Sequence, residues 1–408
     1  MVAQVVAPDL RSLALVLLAS SLGALLSRLS RRIVLPTVVV EIVLGILIGP
    51  VVLGIAEVDP YLQYLSTLGL GMLFFFVGLE VVEHRVPNAS LARGTRGWAL
   101  SAAVGLAVGV ALQLLGLDAR WWVLGIALTT TSLGALAPIL RDAGVLPTPL
   151  GVAVLGSGVA GEFWPIVVIS VFLTGTYGAV EEILLLVGFG LVVFLAATAA
   201  LRARPPGVVR VLQETVHTTG QTAVRLAIFV LAALALLARD VGFDFVLGAL
   251  AAGLVVGLAL DTPEAEPVRM RLEGIGFGFL IPVYFVTTGM NFDLDSLLSA
   301  RGLGLAALFL VLLLGVRGLS AVLWLRELGP RHALGLALFA ATALPLIVAI
   351  VDVADDHGAI AEDVGASLVG AGMISVLTFP LLGLRAAGRG ARDAGSPALI
   401  RGAPSTEL

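Results

Sequence analysis

The chain has 408 residues, of which 59% are hydrophobic and 13% charged, with a formal net charge of −4. Soluble proteins carry about 45–50% apolar and about 25% charged residues, so a soluble fold cannot hide this much apolar surface. The chain has no cysteine, which excludes a disulfide framework and a thiolate metal site, and all 24 of its basic residues are arginine. The lipid bilayer is therefore the expected environment, and no nucleic-acid partner is expected.

Charged residues, prolines and glycine-rich turns divide the chain into thirteen apolar runs, each near the roughly 20 residues that a membrane-spanning helix needs. No basic segment precedes the first run, so we interpret it as a span and not as a cleaved signal peptide. Segment 202–219 is predicted to be an amphipathic connector, and the tail from residue 386 to be disordered. The predicted spans lie near residues 9–27, 34–53, 63–82, 97–116, 120–140, 149–173, 181–201, 220–238, 242–260, 273–290, 302–325, 332–352 and 365–385.

Arginine placement predicts the orientation of the chain. With thirteen spans, 18 arginines fall on one face of the membrane and 4 on the other, while Arg225 and Arg317 lie inside spans. Cytoplasmic loops are enriched in basic residues. We therefore predict a multi-pass protein of the cytoplasmic membrane, with its N-terminus outside and its C-terminus in the cytoplasm.

Two pairs of spans resemble each other at nearly the same offset. EIVLGILIGP, from Glu41 in the second span, aligns with DFVLGALAAG, from Asp244 in the ninth; the third span likewise resembles the tenth. An offset of seven spans makes the two halves oppositely oriented, which is typical of secondary transporters. The predicted fold is therefore an all-α membrane protein with two inverted six-helix repeats joined by a linker helix. Glu41 and Asp244 are predicted to line a funnel or a domain interface, and structural roles remain equally open.

Glu162 lies midway along the sixth span, in LGSGVAGEFWPIVVIS. Ionisable groups inside hydrocarbon are costly and are functional by default. A carboxylate there can bind a monovalent cation or a proton, but not both, so competition at one group suffices for exchange. Ser157 is predicted to be a further ligand. The alternative is a carboxyl that only bonds to a neighbouring helix.

Arg317 lies mid-span in the eleventh run, in LLLGVRGLSAVL. Because arginine stays charged, we predict that it pairs with a carboxylate or caps the negative end of a broken helix. Snorkelling to the membrane interface is the alternative.

The fifth and twelfth spans, ALTTTSLGALAPIL and FAATALPLIVAIV, each contain polar residues followed by Gly or Pro at mid-span. This pattern predicts helices that unwind at the midplane, where carbonyls and half-helix ends coordinate an ion. The alternative is that the hydroxyls bond back to their own helices. The residues concerned are Thr130, Thr131, Ser132, Gly134, Thr342 and Pro345.

These residues resemble the monovalent cation/proton antiporter superfamily, of the sodium/hydrogen exchanger type, over residues 10 to 385. The most specific segments are LPTVVVEIVLGILIGPVVLG and LGLGMLFFFVGLEV, supported by GFDFVLGALAAGLVVG and FLIPVYFVTTGMNFD. The resemblance implies a homodimer that exchanges Na⁺ or K⁺ for H⁺ by an elevator-type movement. It also implies that the two broken helices cross.

The resemblance further implies a division of the chain into two domains of two parts each. The ranges are 1–90 and 220–295 for the dimerisation domain, 91–175 and 296–385 for the core ion-transport domain, 176–219 for the linker helix and connector, and 386–408 for the cytoplasmic tail.

Position by position, the resemblance places Glu162 at the family's ion-binding aspartate and Arg317 at its core lysine or arginine. Thr131 and Ser132 fall at the first helix break. The family usually has Asp-Asp or Asn-Asp in the sixth span, where this chain has Gly161-Glu162. The usual partner of the core cation is therefore missing, and a single carboxylate predicts electroneutral exchange of one cation for one proton.

A potassium-efflux or channel-like protein of the same fold, or a transport-inactive sensor or scaffold, is the alternative. An enzyme is not expected, because the four histidines lie in loops, in the connector or at the first residue of a span, without metal-binding spacing. No cofactor is expected. The histidines are His84, His217, His332 and His357.

Overall fold

The structure is a computed structural model that describes residues 9–29, 36–83, 86–174, 179–202, 221–261 and 265–388. Within these ranges the chain is helical, apart from turns and an isolated β-bridge between Ala119 and Ile360. Nearly all of the predicted connector at 202–219 and of the predicted tail at 386–408 lies outside the described residues.

The first half of the described chain contains eight helices. Proline precedes or begins several of them, because it lacks an N–H and its φ suits the first turn of a helix. Pro36 and Pro87 precede helices, while Pro60 and Pro149 begin them. The helices are α1 (Leu10–Leu29), α2 (Thr37–Ile48), α3 (Pro60–Glu83), α4 (Asn88–Leu114), α5 (Trp121–Ala127), α6 (Leu133–Asp142), α7 (Pro149–Thr174) and α8 (Ala179–Arg202).

The second half is also helical, with two changes of helical pitch. A π-helical turn, Gly276–Leu280, joins α11 to α12, and a second, Leu313–Arg317, follows α14 and leads into a 3₁₀ segment, Leu319–Trp324. Such π turns occur frequently at functional sites. The helices are α9 (Thr222–Asp240), α10 (Phe245–Ala259), α11 (Glu266–Ile275), α12 (Ile281–Met290), α13 (Leu294–Leu298), α14 (Ala300–Leu312), α15 (Leu325–Ala340), α16 (Pro345–Asp356) and α17 (Glu362–Ala387).

The described helices confirm the multi-pass membrane class. By length and composition, 8 helical segments among the described residues could cross a membrane. Large apolar side chains such as Leu25, Phe229 and Val311 are exposed on these helices, as expected of surfaces that contact lipid chains. The count of thirteen spans and the inverted repeat stay predictions.

The helices pack in two groups. In the first, α2 and α3 pack against α12, and α10 packs against α3, α8 and α9. In the second, α4 packs against α5 and α7, while α14 and α15 pack against α17. A side chain on Gly78 of α3 or Gly253 of α10 would collide with the facing backbone, which is how small residues let membrane helices approach closely. Helix α7 contacts α3 and α10, so it lies at the boundary between the groups.

Two helices are interrupted in the middle of the second group. The chain is non-helical at residues 128–132, between α5 and α6, and at residues 341–344, between α15 and α16. These are the positions at which the sequence predicts unwinding. The two interruptions touch, because the Ser132 N–H donates to the Thr342 carbonyl at 2.8 Å.

Candidate functional site

Glu162 is a buried carboxylate in the middle of α7, with 5% of its surface exposed. Its Oε1 accepts hydrogen bonds from the backbone N–H groups of Leu133 and Gly134, the second at 3.3 Å. These residues begin α6, and the first N–H groups of a helix have no partner within it. The N-terminus of α6 therefore stabilises a negative charge on Glu162.

The first interruption is held against the helix that carries Glu162. The Thr131 N–H donates to the Gly161 carbonyl at 3.1 Å, next to Glu162 in the chain. The Thr131 hydroxyl donates to the carbonyl of Ala340, the last residue of α15, at 2.6 Å. These bonds, with the one between the two interruptions, hold the N-terminus of α6 against the carboxylate.

Arg317 ends the second π-helical turn and is fully buried. Its Nε donates to Thr131 Oγ1 at 2.8 Å and its Nη2 donates to the Ser157 carbonyl at 2.5 Å. Its Nη1 has no hydrogen-bond partner among the described residues. The hydrogen bonds of Arg317 go to Thr131 in the first interruption and to the backbone of α7, and pairing with a carboxylate or with a helix end stays a prediction. Its burial excludes snorkelling.

Gly161 leaves the room that Arg317 occupies. A Cβ built on Gly161 would lie 2.5 Å from Arg317 Nη2 and 2.5 Å from Thr131 Oγ1. Carbon atoms do not approach polar atoms so closely, so any side chain at this position would displace the guanidinium. The absence of a side chain at Gly161 is therefore what allows Arg317 to lie at this position.

A cavity of about 550 Å³ leads to Glu162. Ser132, Gly134 and Pro345 line it beside this carboxylate, and it extends along α1, α2 and α3. The structure thus brings five of the predicted site residues, Glu41 among them, to the lining of one cavity. Pro345 begins α16. An N–H at this position has no partner within the helix, so proline loses no helical hydrogen bond here.

Six other predicted residues are absent from the described lining of this cavity, namely Thr130, Thr131, Ser157, Asp244, Arg317 and Thr342. The hydroxyls of Thr130 and Thr342 donate to carbonyls of their own helices, at 2.7 and 3.1 Å. Thr131 and Ser157 surround Arg317 through the contacts given above. The Ser157 hydroxyl has no hydrogen-bond partner among the described residues.

A second cavity, of about 840 Å³, lies at the opposite end of α3 and is lined by Gln63 near the start of that helix. Asp244 and Asp352 also line it, and Tyr284 Oη donates to Asp352 Oδ2 at 2.7 Å. Glu162 is absent from its described lining. The two cavities therefore lie toward opposite ends of the helices, and Glu162 lines only the smaller one.

The two acids that the predicted repeat would relate lie one in each cavity. Glu41 is 3% exposed on α2 and lines the cavity that leads to Glu162. Asp244 caps α10 by accepting the Val246 N–H at 2.9 Å, and it lines the larger cavity. The funnel role of both residues stays a prediction, and Asp244 also has the structural role of a helix cap.

Several cavity-lining carboxylates are not predicted from the sequence, among them one in each cavity that lies within a predicted span. Glu80 of α3 lines the smaller cavity and Asp352 of α16 lines the larger one. Both stand near the end of a predicted apolar run, where an acid reads as part of a loop. A signal for Asp352 exists, because it follows Pro345 by two helical turns and so shares a helix face with it. Among the described residues, no group of three or more His, Cys, Asp or Glu side chains could hold a metal ion.

Comparison with known proteins gives consistent matches. The sequence profile of the family described as sodium/hydrogen exchanger, transmembrane, matches residues 17–383. The Bacillus subtilis protein YjbQ is 26% identical over 86% of this chain, which spans 59% of the length of YjbQ. The Na⁺/H⁺-K⁺ antiporter GerN of Bacillus cereus is 29% identical over 70% of this chain and 72% of its own length.

A solved structure shares the fold. The structure of the sodium proton antiporter MjNhaP1 from Methanocaldococcus jannaschii at pH 8 has a TM-score of 0.64 with this chain at 19% identity. The match covers 93% of this chain and 99% of that one.

Proposed function

This chain belongs to the family of transmembrane sodium/hydrogen exchangers, and we propose that it is a secondary active antiporter exchanging Na⁺ or K⁺ for H⁺. As a member of a transporter family it is not an enzyme. The transported cation and the proton are its substrates, and no resident cofactor is proposed. The relative GerN is named as an antiporter of Na⁺, K⁺ and H⁺, which supports this choice of cations.

The observation that carries the proposal is the position of Glu162. A buried carboxylate at the end of a cavity is costly unless a positive partner compensates it. The backbone N–H groups of Leu133 and Gly134 lower this cost, and the cavity admits either a proton or a hydrated cation. Because one occupant excludes the other, each half of the cycle carries one of them.

We propose Glu162 and Ser132 as the cation ligands, completed by water in the cavity and by the unwound backbone. The Thr131 hydroxyl accepts a hydrogen bond from a guanidinium, which would repel a second cation at the same oxygen. Thr131 and Ser157 therefore serve to hold Arg317. That arginine supplies a fixed positive charge to the core, because a guanidinium does not deprotonate in proteins.

The two packed groups of helices support the proposed domain division. The first group corresponds to the dimerisation domain of a homodimer, at 1–90 and 220–295, and the second to the core, at 91–175 and 296–385. Helix α7 carries Glu162 at the boundary between them. We propose that the core slides against the dimerisation domain like an elevator and moves Glu162 from the 550 Å³ cavity to the 840 Å³ cavity. Cavities at opposite ends of the helices support alternating access over a continuous pore.

The placement of acids and arginines supports the proposed topology. Oppositely oriented halves would put Glu41 and Asp244 at opposite faces, and these residues line opposite cavities. The smaller cavity reaches Ser27 and Thr37, which flank the arginines at 28–32. We therefore propose that this cavity faces the cytoplasm, that the N-terminus is outside, and that the C-terminus is cytoplasmic.

Reconstituted protein tests the proposed function. Proteoliposomes with a pH-sensitive dye inside receive a gradient of Na⁺, K⁺ or choline, and internal pH is followed. We expect proton movement opposite to the Na⁺ or K⁺ gradient for the wild type and none for Glu162→Gln. Cation flux without coupled proton movement would indicate a channel and contradict the proposal.

A further inference from the structure

We infer that the hydrogen bond between Tyr284 and Asp352 is a latch, which holds the core where Glu162 opens to the smaller cavity and breaks whenever the core moves. The inference rests on the proposed function, with its elevator movement, and adds to it the residues that oppose that movement. Tyr284 and Asp352 act as positioning residues, because Glu162 remains the group that binds the cation.

The latch joins the two packed groups of helices. Tyr284 Oη donates to Asp352 Oδ2 at 2.7 Å, and both residues line the larger cavity. Tyr284 belongs to α12, which packs against α1, α2 and α3, whereas Asp352 belongs to α16, which packs against α5, α7 and α17. Thr288, one helical turn after Tyr284, also hydrogen-bonds to both side chains. A polar contact thus crosses the boundary along which the core is proposed to slide.

The latch lies at the wall between the two cavities. Phe285, next to Tyr284 in the chain, lines the smaller cavity, so α12 passes from one cavity to the other at these two residues. On the core side, Leu346 lines the smaller cavity and Asp352, further along α16, lines the larger one. For the larger cavity to open to Glu162, α12 and α16 therefore have to move relative to each other at this wall.

Next to the latch, the two groups meet through apolar side chains. Ile350 of α16 lines a void of about 10 Å³ together with Phe74 of α3 and Val246 of α10. Apolar contact has no preferred direction and so tolerates sliding, whereas a hydrogen bond weakens steeply when its geometry changes. Tyr284 is 2% exposed, so little water is at hand to replace its partner. Of these contacts, the latch is the one that a sliding core has to break.

Loss of the latch should shift the balance between the two positions of the core. A hydrogen bond to a charged group contributes enough free energy to change an equilibrium tenfold or more. The apparent affinity for a ligand rises with the fraction of the protein that is open to it. Without the latch, cations that arrive through the larger cavity should therefore bind at a lower concentration.

Cysteine labelling tests this inference, since the chain contains no native cysteine. Ser66→Cys places a thiol on α3 at a position that lines the larger cavity and is 5% exposed, and its reaction with a membrane-impermeant maleimide is followed over time. We expect Tyr284→Phe and Asp352→Leu each to raise the labelling rate roughly tenfold. The two changes together should raise it no further, because both remove the same bond.

Exchange kinetics give a second readout that local loosening of the structure would not mimic. Wild type and Tyr284→Phe are compared in vesicles of defined orientation, with Na⁺ or K⁺ varied on one face at a time. For Tyr284→Phe, the cation concentration at half-maximal rate should fall roughly tenfold on the face of the larger cavity.

Tyr64→Phe is the matched control, because Tyr64 is an exposed tyrosine of α3 and is absent from the described lining of both cavities. It should change neither readout. An unchanged labelling rate in Tyr284→Phe would overturn the inference, as would faster labelling without a lower half-maximal concentration on the face of the larger cavity. If Tyr284→Phe does not fold, Asp352→Leu decides by the same two readouts. Labelling requires no transport, so a wild type that shows no exchange would contradict the proposed function separately.

Discussion

Arg317 Nε lies 2.8 Å from the hydroxyl oxygen of Thr131, a residue 186 positions earlier in the chain. The same hydroxyl donates to the Ala340 carbonyl at 2.6 Å. One threonine therefore connects the arginine to both interrupted helices. The hydrogen bonds of Arg317 go to neutral oxygens, so the guanidinium is part of the support for the interruptions.

Replacing Arg317 with Leu should destabilise the core. The Ser157 carbonyl and the Thr131 hydroxyl would each lose a hydrogen bond from a charged group, and such a bond contributes about 1.5–3 kcal/mol. We expect a lower midpoint of thermal unfolding in detergent and slower exchange in liposomes. Arg317→Lys keeps the positive charge but not the planar guanidinium, so it should lose less thermal stability and less exchange activity than the Leu variant. A Leu variant as stable and as active as the wild type would show that these bonds are dispensable.

Gly161→Ala should also lower stability and exchange. Its Cβ would collide with Arg317 Nη2 and Thr131 Oγ1, and overpacking of this kind costs about 1–3 kcal/mol. The matched control is Gly304→Ala in α14, where a Cβ meets no atom within 4 Å. That control should be neutral or slightly stabilising, because alanine is the better helix former. Equal thermal midpoints for the two variants would refute the packing argument.

Exchange should be electroneutral. In both loaded states Glu162 carries one positive charge, as a proton or as a monovalent cation, and Arg317 stays charged throughout. An imposed membrane potential should therefore leave the ratio of forward to reverse rates unchanged at matched ion gradients. Uphill cation movement driven by potential alone would require a second charge in the core; Asp352 would then be the first residue to test.

Competition at Glu162 predicts a specific pH dependence. Protons occupy the carboxylate more often at low pH, so the cation concentration at half-maximal rate should rise as pH falls. For competition at one group, the rise approaches about tenfold per pH unit below the pKa of the site. The maximal rate at saturating cation should change much less. A maximal rate that collapses at low pH while the half-saturating concentration stays constant would exclude simple competition.

The sequence was sufficient for the features that depend on local pattern. Spans follow from the length of apolar runs, and the interruptions at 128–132 and 341–344 follow from polar residues beside Gly or Pro inside such runs. Glu162 could be proposed as an ion-binding residue because a carboxylate in the middle of an apolar run has few structural explanations.

Contacts between distant segments could not be predicted in this way. Thr131 reads as an ion ligand in the sequence, and only the packing of α7 against the first interruption shows that Arg317 bonds to its hydroxyl. Glu80 reads as the end of a span in the sequence. Only the packing of the two groups of helices shows that its Oε1 lies 3.7 Å from the Cβ position of Gly134. Residue type and spacing along the chain do not predict such pairs.

Cation-induced proton release tests most directly whether proton and cation compete for Glu162. Purified wild type in weakly buffered detergent solution is titrated with NaCl or KCl, with choline chloride as the control, and proton release is measured alongside cation binding. The account predicts that each bound cation releases up to one proton from the wild type and none from a folded Glu162→Gln variant. Equal proton release from the wild type and from Glu162→Gln would place the exchange at another group and contradict the account.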